Sequence, residues 1–434
     1  MAITNVNNRA ATANAPASTN KGALAVVTTL FFMWGFLTAL NDILIPHLKP
    51  IFDLNYAEAM LIQFAFFSSY FIFAIPSGKI IDAVGYQRAM VIGIFTLGIG
   101  AFLFIPAAMV ASYPLFLGAL IVLAAGMTVL QVSANPYVAI LGPARTASSR
   151  LNLAQAFNSL GTTIAPYLGG LIILSAVPGM DEIRHMAPNV LQAFRVHQAS
   201  SVKLPYFGLG LIAVILGIAI ALFKLPVISS AQHHKGEVTE SIWKYRHLVL
   251  AVIGIFAYVG AEVSIGSFLV NYFSQKEIGN ITEKVAAGYV SFYWGSAMVG
   301  RFIGSAVLQK IRTNLILGTA AVIAFLLVCI SMLTFGHLAM WSIIIVGLFN
   351  SVMFPSIFTS GIDQLGPLTS KGSTYLIMAV VGGAILPVLT GVLADHIGIH
   401  HSFIIPAICY LYIIYYGYVG SKPEGPGISE AASS

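Results

Sequence analysis

Charge is scarce in this sequence: Asp, Glu, Lys and Arg make up 8% of its 434 residues, against roughly 25% in an average soluble domain. A water-facing surface cannot be built from so few, so lipid must cover most of the outside. Cysteine is scarcer still. Cys329 and Cys409, the only two, lie in apolar runs and read as small packing residues rather than a disulfide. No phosphate-binding Walker loop, dinucleotide fingerprint, hydrolase elbow or His-Glu-x-x-His pair occurs. Any energy the protein uses must therefore come from a gradient rather than from bound ATP.

What the chain has in abundance is apolar length. It is 58% hydrophobic, with a mean hydropathy of +0.88. A helix crossing a bilayer needs about 20 apolar residues at 1.5 Å each. Twelve runs qualify, at 23–48, 57–80, 88–107, 112–140, 149–175, 204–224, 246–273, 283–308, 314–334, 338–361, 372–394 and 402–420. The expected fold is an all-α membrane protein of twelve transmembrane helices in two pseudo-symmetric six-helix bundles.

The net charge of +6 does not signal nucleic acid, because the positive residues form no single aromatic-rich stripe. They alternate between loops instead. With the N-terminus inside, 15 of the 21 Lys and Arg residues fall on the cytoplasmic side and 6 outside, which predicts both termini inside. Residues 1–22 are polar and read as a disordered cytoplasmic N-terminus, and the first apolar run is too long for a cleaved signal. Residues 23–224 then form the first bundle, 225–245 a polar cytoplasmic linker, 246–420 the second bundle, and 421–434 a cytoplasmic tail.

The two halves echo each other. Gly161, Pro166 and Gly170 of the fifth run recur at the same spacing as Gly382, Pro387 and Gly391 of the eleventh, each preceded by Leu-Gly-Pro, at 141–143 and 365–367. Small residues let helices approach and proline bends them, whether for packing alone or as a rocking hinge. Paired halves of this kind are the plan of alternating-access carriers, with the solute site near the midplane.

Ionisable groups at membrane depth are functional suspects. Thr38, Asn41 and Asp42 share one face of the first run at i, i+3 and i+4, three oxygen-bearing side chains that can coordinate a hard cation. Asp42 alone can instead carry a proton, or sit at the outer interface. Glu262, in the first run of the second half, can meet sugar hydroxyls, hold the coupling cation, or lie buried and neutral. Arg301 lies near a helix end, where it can snorkel, and reads as structural or gating. Amides donate and accept at once, as sugar hydroxyls do. Gln63, Gln131, Asn135, Gln155, Asn158 and Asn350 supply them, and Trp34, Tyr293, Trp294 and Tyr375 offer rings for stacking; any of these can also be helix-packing glue. Asp395, His396, His400 and His401 fall in a predicted external loop and do not read as a metal site.

Between the second and third runs, Gly78-x-x-x-Asp82-x-x-Gly85-x-x-Arg88 resembles the signature loop of the major facilitator superfamily. Its glycines permit a tight turn, and Asp82 can latch one conformation by meeting a helix terminus or an arginine. The second half shows a degenerate version, Gly300-Arg301-x-x-Gly304. Leu40-Asn41-Asp42-Ile43-Leu44, Leu61-Ile62-Gln63, Ala134-Asn135-Pro136, the stretch from Arg150 to Ser159, Tyr258-Val259-Gly260-Ala261 and Gly300-Arg301-Phe302 resemble the fucose permease family over about 24–420. In that family an aspartate of helix 1 and a glutamate of helix 4 serve proton coupling and sugar recognition. The aspartate matches Asp42, but Gln131 stands at the glutamate position, and Glu262 stands where the fucose permease has a neutral amide. Both departures look like the glucose/galactose transporter branch.

The resemblance implies a transporter rather than an enzyme. It would carry a hexose by symport with sodium or a proton across a bacterial inner membrane, without a cofactor, in a fold that commonly works as a monomer. The Thr38, Asn41 and Asp42 oxygens tip the expected ion toward sodium, with Gln63, Gln131, Asn135, Gln155, Asn158, Glu262, Trp294, Asn350 and Tyr375 lining the sugar site. Proton-coupled uptake of fucose, mannose or N-acetylglucosamine is the nearest alternative. A drug exporter would have a more aromatic cavity, and a membrane sensor would carry a soluble signalling domain.

Overall fold

The computed structural model describes residues 18–52, 56–172, 186–226 and 241–426, and among them there is no β-strand. The helices of the first half are α1 (Lys21–Phe52), α2 (Tyr56–Val84), α3 (Tyr86–Val110), α4 (Tyr113–Ile140), α5 (Ala147–Ile172), α6 (Pro188–Ser200) and α7 (Lys203–Leu222). Those that follow are α8 (Arg246–Ser274), α9 (Glu283–Val307), α10 (Thr313–Leu333), α11 (Gly336–Asn350), α12 (Met353–Gly361), α13 (Thr369–Met378), α14 (Gly382–Ile397), α15 (Ile399–Ser402) and α16 (Ile404–Tyr415). Among the described residues, ten segments are long and apolar enough to cross a membrane. The other two expected spans are α5 and α9, which at 26 and 25 residues have the length but are more polar. Their polar residues include Asn152, Gln155, Asn158 and Arg301.

Three expected spans are interrupted. The run 338–361 breaks between α11 and α12 at Ser351 and Val352. Pro355 then falls in the first turn of α12, where its missing N–H leaves no intrahelical bond unmade. The run 372–394 is α13 and α14 joined by a 3-10 turn at Ala379–Val381, and the last run ends in a π-turn at Tyr416–Gly420. Such breaks are tolerated at membrane depth only where other groups satisfy the freed backbone.

Tight junctions explain several sequence motifs. Gly85 alone separates α2 from α3 and has φ +81°, a conformation that costs a side-chain-bearing residue strain. Arg150, 4% exposed, folds back to cap the end of α4: Nε donates to the Val138 carbonyl at 3.1 Å, and Nη1 donates to the Pro143 carbonyl at 2.9 Å and to Thr146 Oγ1 at 2.6 Å. Counted from sequence as a loop charge, it is in fact buried, because a helix C-terminus attracts a cation.

The described residues pack as two compact units. One comprises Thr28–Ser133 and Phe157–Leu225; the other comprises Met1–Val27, Ala134–Ala156 and Pro226–Ser434. The boundary runs through α1, α4 and α5, and most of the expected linker, 227–240, lies outside the described residues, as do 1–17 and 427–434. In the first unit α3 lies along α7, with Phe104 stacked on Tyr206 at 4.1 Å. The face of α7 bearing Leu211, Ile215, Ile218 and Leu222 is exposed, as a lipid-facing stripe requires.

The repeated glycines mark close helix approaches. A Cβ on Gly161 would meet the Phe32 carbonyl of α1, and one on Gly382 would meet the Phe256 carbonyl of α8. In the second unit, the start of α5 is tied to later helices by neutral groups. Ser148 Oγ lies 2.5 Å from Thr359 Oγ1 and 2.9 Å from Thr313 Oγ1, Ser149 Oγ donates to the Ser305 carbonyl at 2.5 Å, and Asn152 Nδ2 donates to the Arg301 carbonyl at 2.6 Å. The same end of this unit holds both termini of the described chain: the Asn20 N–H reaches the Leu141 carbonyl at 3.5 Å, and Arg246 pairs with Glu424 at 3.1 Å. We call it the terminal side.

Candidate solute and coupling site

The predicted site residues gather in two clusters, each inside one unit. The cluster of the second unit is built where α11 breaks. Ending α11 at Asn350 leaves its carbonyl short of a helical donor, and the hydroxyl of Tyr258, in a buried stretch of α8, lies 3.0 Å from it. The same hydroxyl lies 2.8 Å from Glu262 Oε1, one turn along α8. The Asn350 side chain is gripped by two phenols: its Nδ2 donates to Tyr293 at 3.0 Å and its Oδ1 accepts from Tyr410 at 2.7 Å. Tyr258, Tyr293, Asn350 and Tyr410 are each at most 1% exposed, so the cluster is a desolvated polar network in which every bond counts.

Glu262 also has a cationic partner that no local spacing in the sequence reveals. Arg301 of α9 places Nη2 at 3.9 Å from Glu262 Oε1, and the two side chains are 13% and 14% exposed. Arg301 Nη1 further reaches the Gln155 carbonyl at 3.5 Å. The cluster thus offers a carboxylate, a guanidinium, three phenols and an amide. Such a set can recognise hydroxyls, which both donate and accept, and can hold or exchange one charge.

The cluster of the first unit centres on α4. Gln131, 4% exposed, donates from Nε2 to Tyr70 of α2 at 2.8 Å. One turn earlier, Met127 Sδ lies 3.9 Å from Thr38 Oγ1, whose proton goes to the Trp34 carbonyl at 3.0 Å. Asn158 of α5 donates to the Phe31 carbonyl of α1 at 3.0 Å, beside Gly35. The backbone of α1 carries Asn41 and Asp42, but their side chains, like that of Gln63, lie outside the described residues.

The remaining predicted residues stand apart from these bonds. Asn135, wholly buried in the second unit, makes no hydrogen bond from either amide atom among the described residues. Gln155 is engaged through its carbonyl rather than its amide. Tyr375 packs its ring 4.8 Å from that of Trp243, just before α8 on the terminal side, and Trp294 is 41% exposed with its ring against Tyr293. In the loop motif Gly78 is buried, Asp82 and Arg88 are exposed, and Asp82 makes no ion pair among the described residues. His400 is buried against Tyr272, Phe335 and His401, while Asp395 and His396 are exposed.

Sequence reasoning does not single out Tyr258, Tyr410, Tyr70 or the triad of Ser148, Ser149 and Asn152 as site residues. Tyr258 has a usable signal, its position one turn before Glu262. Tyr410 has none, since it lies in a tyrosine-rich run that gives no face away.

Comparison with known proteins identifies the family. Residues 23–375 match the family model described as Major Facilitator Superfamily. A glucose/galactose transporter of Brucella abortus is 51% identical over 401 residues, which cover 92% of this chain and 94% of the relative. The L-fucose-proton symporter of Escherichia coli is 36% identical, covering 90% and 91%. The crystal structure of the fucose symporter in the outward conformation superposes with a TM-score of 0.85 at 34% identity, covering 92% of this chain and 98% of that one. The chain therefore belongs to the Major Facilitator Superfamily, within its fucose permease family.

Proposed function

We propose that this multi-pass membrane protein imports a hexose, glucose or galactose, by symport with a cation through alternating access. Its relatives are sugar transporters rather than enzymes. The observation that carries the reading is the desolvated Glu262, Arg301, Tyr258 and Asn350 network at the α11 break, which pairs hydroxyl-binding groups with one exchangeable charge. Import into a bacterial cytoplasm through the inner membrane, by a monomer with the terminal side inside, completes the reading. The neutral ties at the start of α5 support a state closed on that side.

The network favours a proton as the coupling ion. Tyr258 has one hydroxyl proton and two acceptors, Glu262 Oε1 and the Asn350 carbonyl. With Glu262 ionised, only one acceptor is served. With Glu262 protonated, its O–H donates to Tyr258 and Tyr258 donates to Asn350 while Arg301 gives up its counter-charge, so the site has a bonding arrangement for each charge state, as a proton carrier needs. Sodium at Asp42, Asn41 and Thr38 is the second reading, supported by the Thr38 oxygen, which keeps its lone pairs after donating to Trp34.

Counterflow in proteoliposomes with labelled glucose, galactose, fucose and mannose tests the substrate. Uptake driven by an inward proton gradient, with sodium replaced by potassium, tests the ion. Glucose or galactose counterflow and proton-driven accumulation are expected. Accumulation that follows sodium and ignores pH assigns the ion to the Asp42 region instead, and no counterflow of any hexose refutes the function.

A further inference from the structure

The helix pair α8 and α14 is zipped at one end and split at the other. Toward the terminal side, Gly382 abuts the Phe256 backbone and Gly260 abuts the Leu386 side chain. Midway, Thr390 Oγ1 donates to Ser264 Oγ at 3.2 Å. At Gly391 the approach has loosened: a Cβ there would stand 3.4 Å from Phe268 Cζ, an ordinary contact. Beyond that point the helices part around a cavity of about 470 Å³, lined by Ser267, Phe268 and Asn271 from α8, by Gln275 just past its end, and by Gly391, Ala394 and Asp395 from α14, closed by Gly398 and Ile399. Pro387 lies inside α14 just before the parting, where it removes a backbone bond and permits a bend.

The lining has a definite chemistry. Ser267 and Asn271 stand four residues apart on one face of α8, Gln275 follows where the helix ends, and Asp395 lines the same cavity from α14. None of the four side chains makes a hydrogen bond among the described residues, and three of them are exposed. Three hydrogen-bonding side chains in a row would be costly against hydrocarbon. On α14, Gly391 and Ala394 turn away from the exposed apolar stripe of Val388 and Val392, and Asp395, two turns after Val388, stands at the edge between that stripe and the cavity. The cleft is therefore a wet one, with two amides, a hydroxyl, a carboxylate and one aromatic ring. Its volume falls in the range of small-molecule sites, about 300–1,000 Å³.

We propose that this cleft is a second docking site for a monosaccharide, separate from the Glu262 network, with its Asn271 about 13 Å from Glu262 along α8, nine residues at 1.5 Å each. Amides and the carboxylate bind the hydroxyls, and Phe268 meets the apolar face of the ring. The inference rests on the hexose reading above. It adds that the solute is captured first at the end of α8 remote from the termini and passes on to the Glu262 region, so that occupancy of the cleft sets apparent affinity while the Glu262 network sets turnover and coupling.

The test uses the full chain in proteoliposomes and in detergent, with labelled galactose and glucose, and the variants Asn271→Ala, Asp395→Asn and Gly391→Leu. The first two alter exposed side chains, and the third fills the cleft without touching the Glu262 network. Asn271→Ala is expected to raise the KM of uptake roughly three- to tenfold, the effect of losing one neutral hydrogen bond, and Asp395→Asn, which removes a charged acceptor, and Gly391→Leu, which occupies the space, at least as much, with maximal rate, ion dependence and thermal stability unchanged. Equilibrium binding is expected to give two hexoses per wild-type chain and one per Gly391→Leu chain. A wild-type protein that transports hexose with unaltered KM in all three variants overturns the docking site and leaves the function standing. So does a shift in sodium or pH dependence at unchanged KM, which makes the cleft a cation site. A wild-type protein that binds no hexose overturns both.

Discussion

Replacing Glu262 by glutamine changes one thing at the candidate coupling site. The side chain keeps its size and its acceptor for the Tyr258 hydroxyl, but Arg301 loses its counter-charge. At 3.9 Å, a full ion pair in an effective dielectric of 20 amounts to about 4 kcal/mol of attraction. Part of that is offset by the desolvation of both groups. Removing one partner of a buried pair nevertheless costs about 3–5 kcal/mol, because the other charge is left buried alone. With each side chain 13–14% exposed, screening trims the effect only slightly, and a loss of about 3 kcal/mol is expected. The assay is thermal unfolding of the purified carrier together with vesicle uptake. Glu262→Gln should melt several degrees lower, lose accumulation against a gradient, and retain downhill counterflow at weakened affinity. Adding Arg301→Gln should restore part of the stability, since no unpaired charge then remains. Wild-type melting together with intact proton-driven accumulation in Glu262→Gln would refute the reasoning.

Tyr258→Phe leaves the Asn350 carbonyl without its donor in a fully buried place, so unfolding should ease by about 2–3 kcal/mol and the pH profile of uptake should change; an unchanged profile would show that the phenol is only a brace. Asp42→Asn is expected to abolish accumulation while sparing exchange if the Asp42 region binds sodium, and wild-type uptake in that variant would discard the sodium reading. Gly382→Leu forces a side chain into the Phe256 backbone and should prevent α8 and α14 from closing, seen as loss of folded protein on size-exclusion chromatography. Asn135→Leu removes a buried amide with no described partner, so stability should rise by about 1 kcal/mol; if Asn135 meets the solute in another state, affinity for hexose should fall at the same time, and a variant that loses stability would show a partner that this conformation does not display.

Much of the architecture can be read from residues because the physical signals are local. An apolar run of the right length is a span whatever surrounds it, and Gly85 announces a turn by itself. Glycines at matching places, Gly161 and Gly382, announce two equivalent close approaches without revealing against which carbonyls. The candidate site is less legible. Glu262 is visible as an expensive charge at membrane depth, but its partner Arg301 and the network members Asn350 and Tyr410 are 39, 88 and 148 residues downstream and are brought near it only by packing. Tyr375 and Trp294 illustrate the reverse. Aromatic residues in apolar spans serve solute stacking and interfacial packing alike, and only the folded chain places Tyr375 beside Trp243. The breaks at Ser351 and at Ala379–Val381 are hidden because an apolar run stays apolar across a break.

The ties between the start of α5 and helices α9, α10 and α12 are made by Ser148, Ser149, Asn152, Thr313 and Thr359, none of which bears a charge. Electrolyte weakens the attraction between exposed charges with a screening length of about 10 Å at 0.1 M, but leaves contacts between neutral dipoles almost untouched. A fastening of this composition keeps its strength from dilute to concentrated medium, so the population of the fastened state should be indifferent to ionic strength. The balance of carrier states should therefore hold when the salt concentration bathing that side changes.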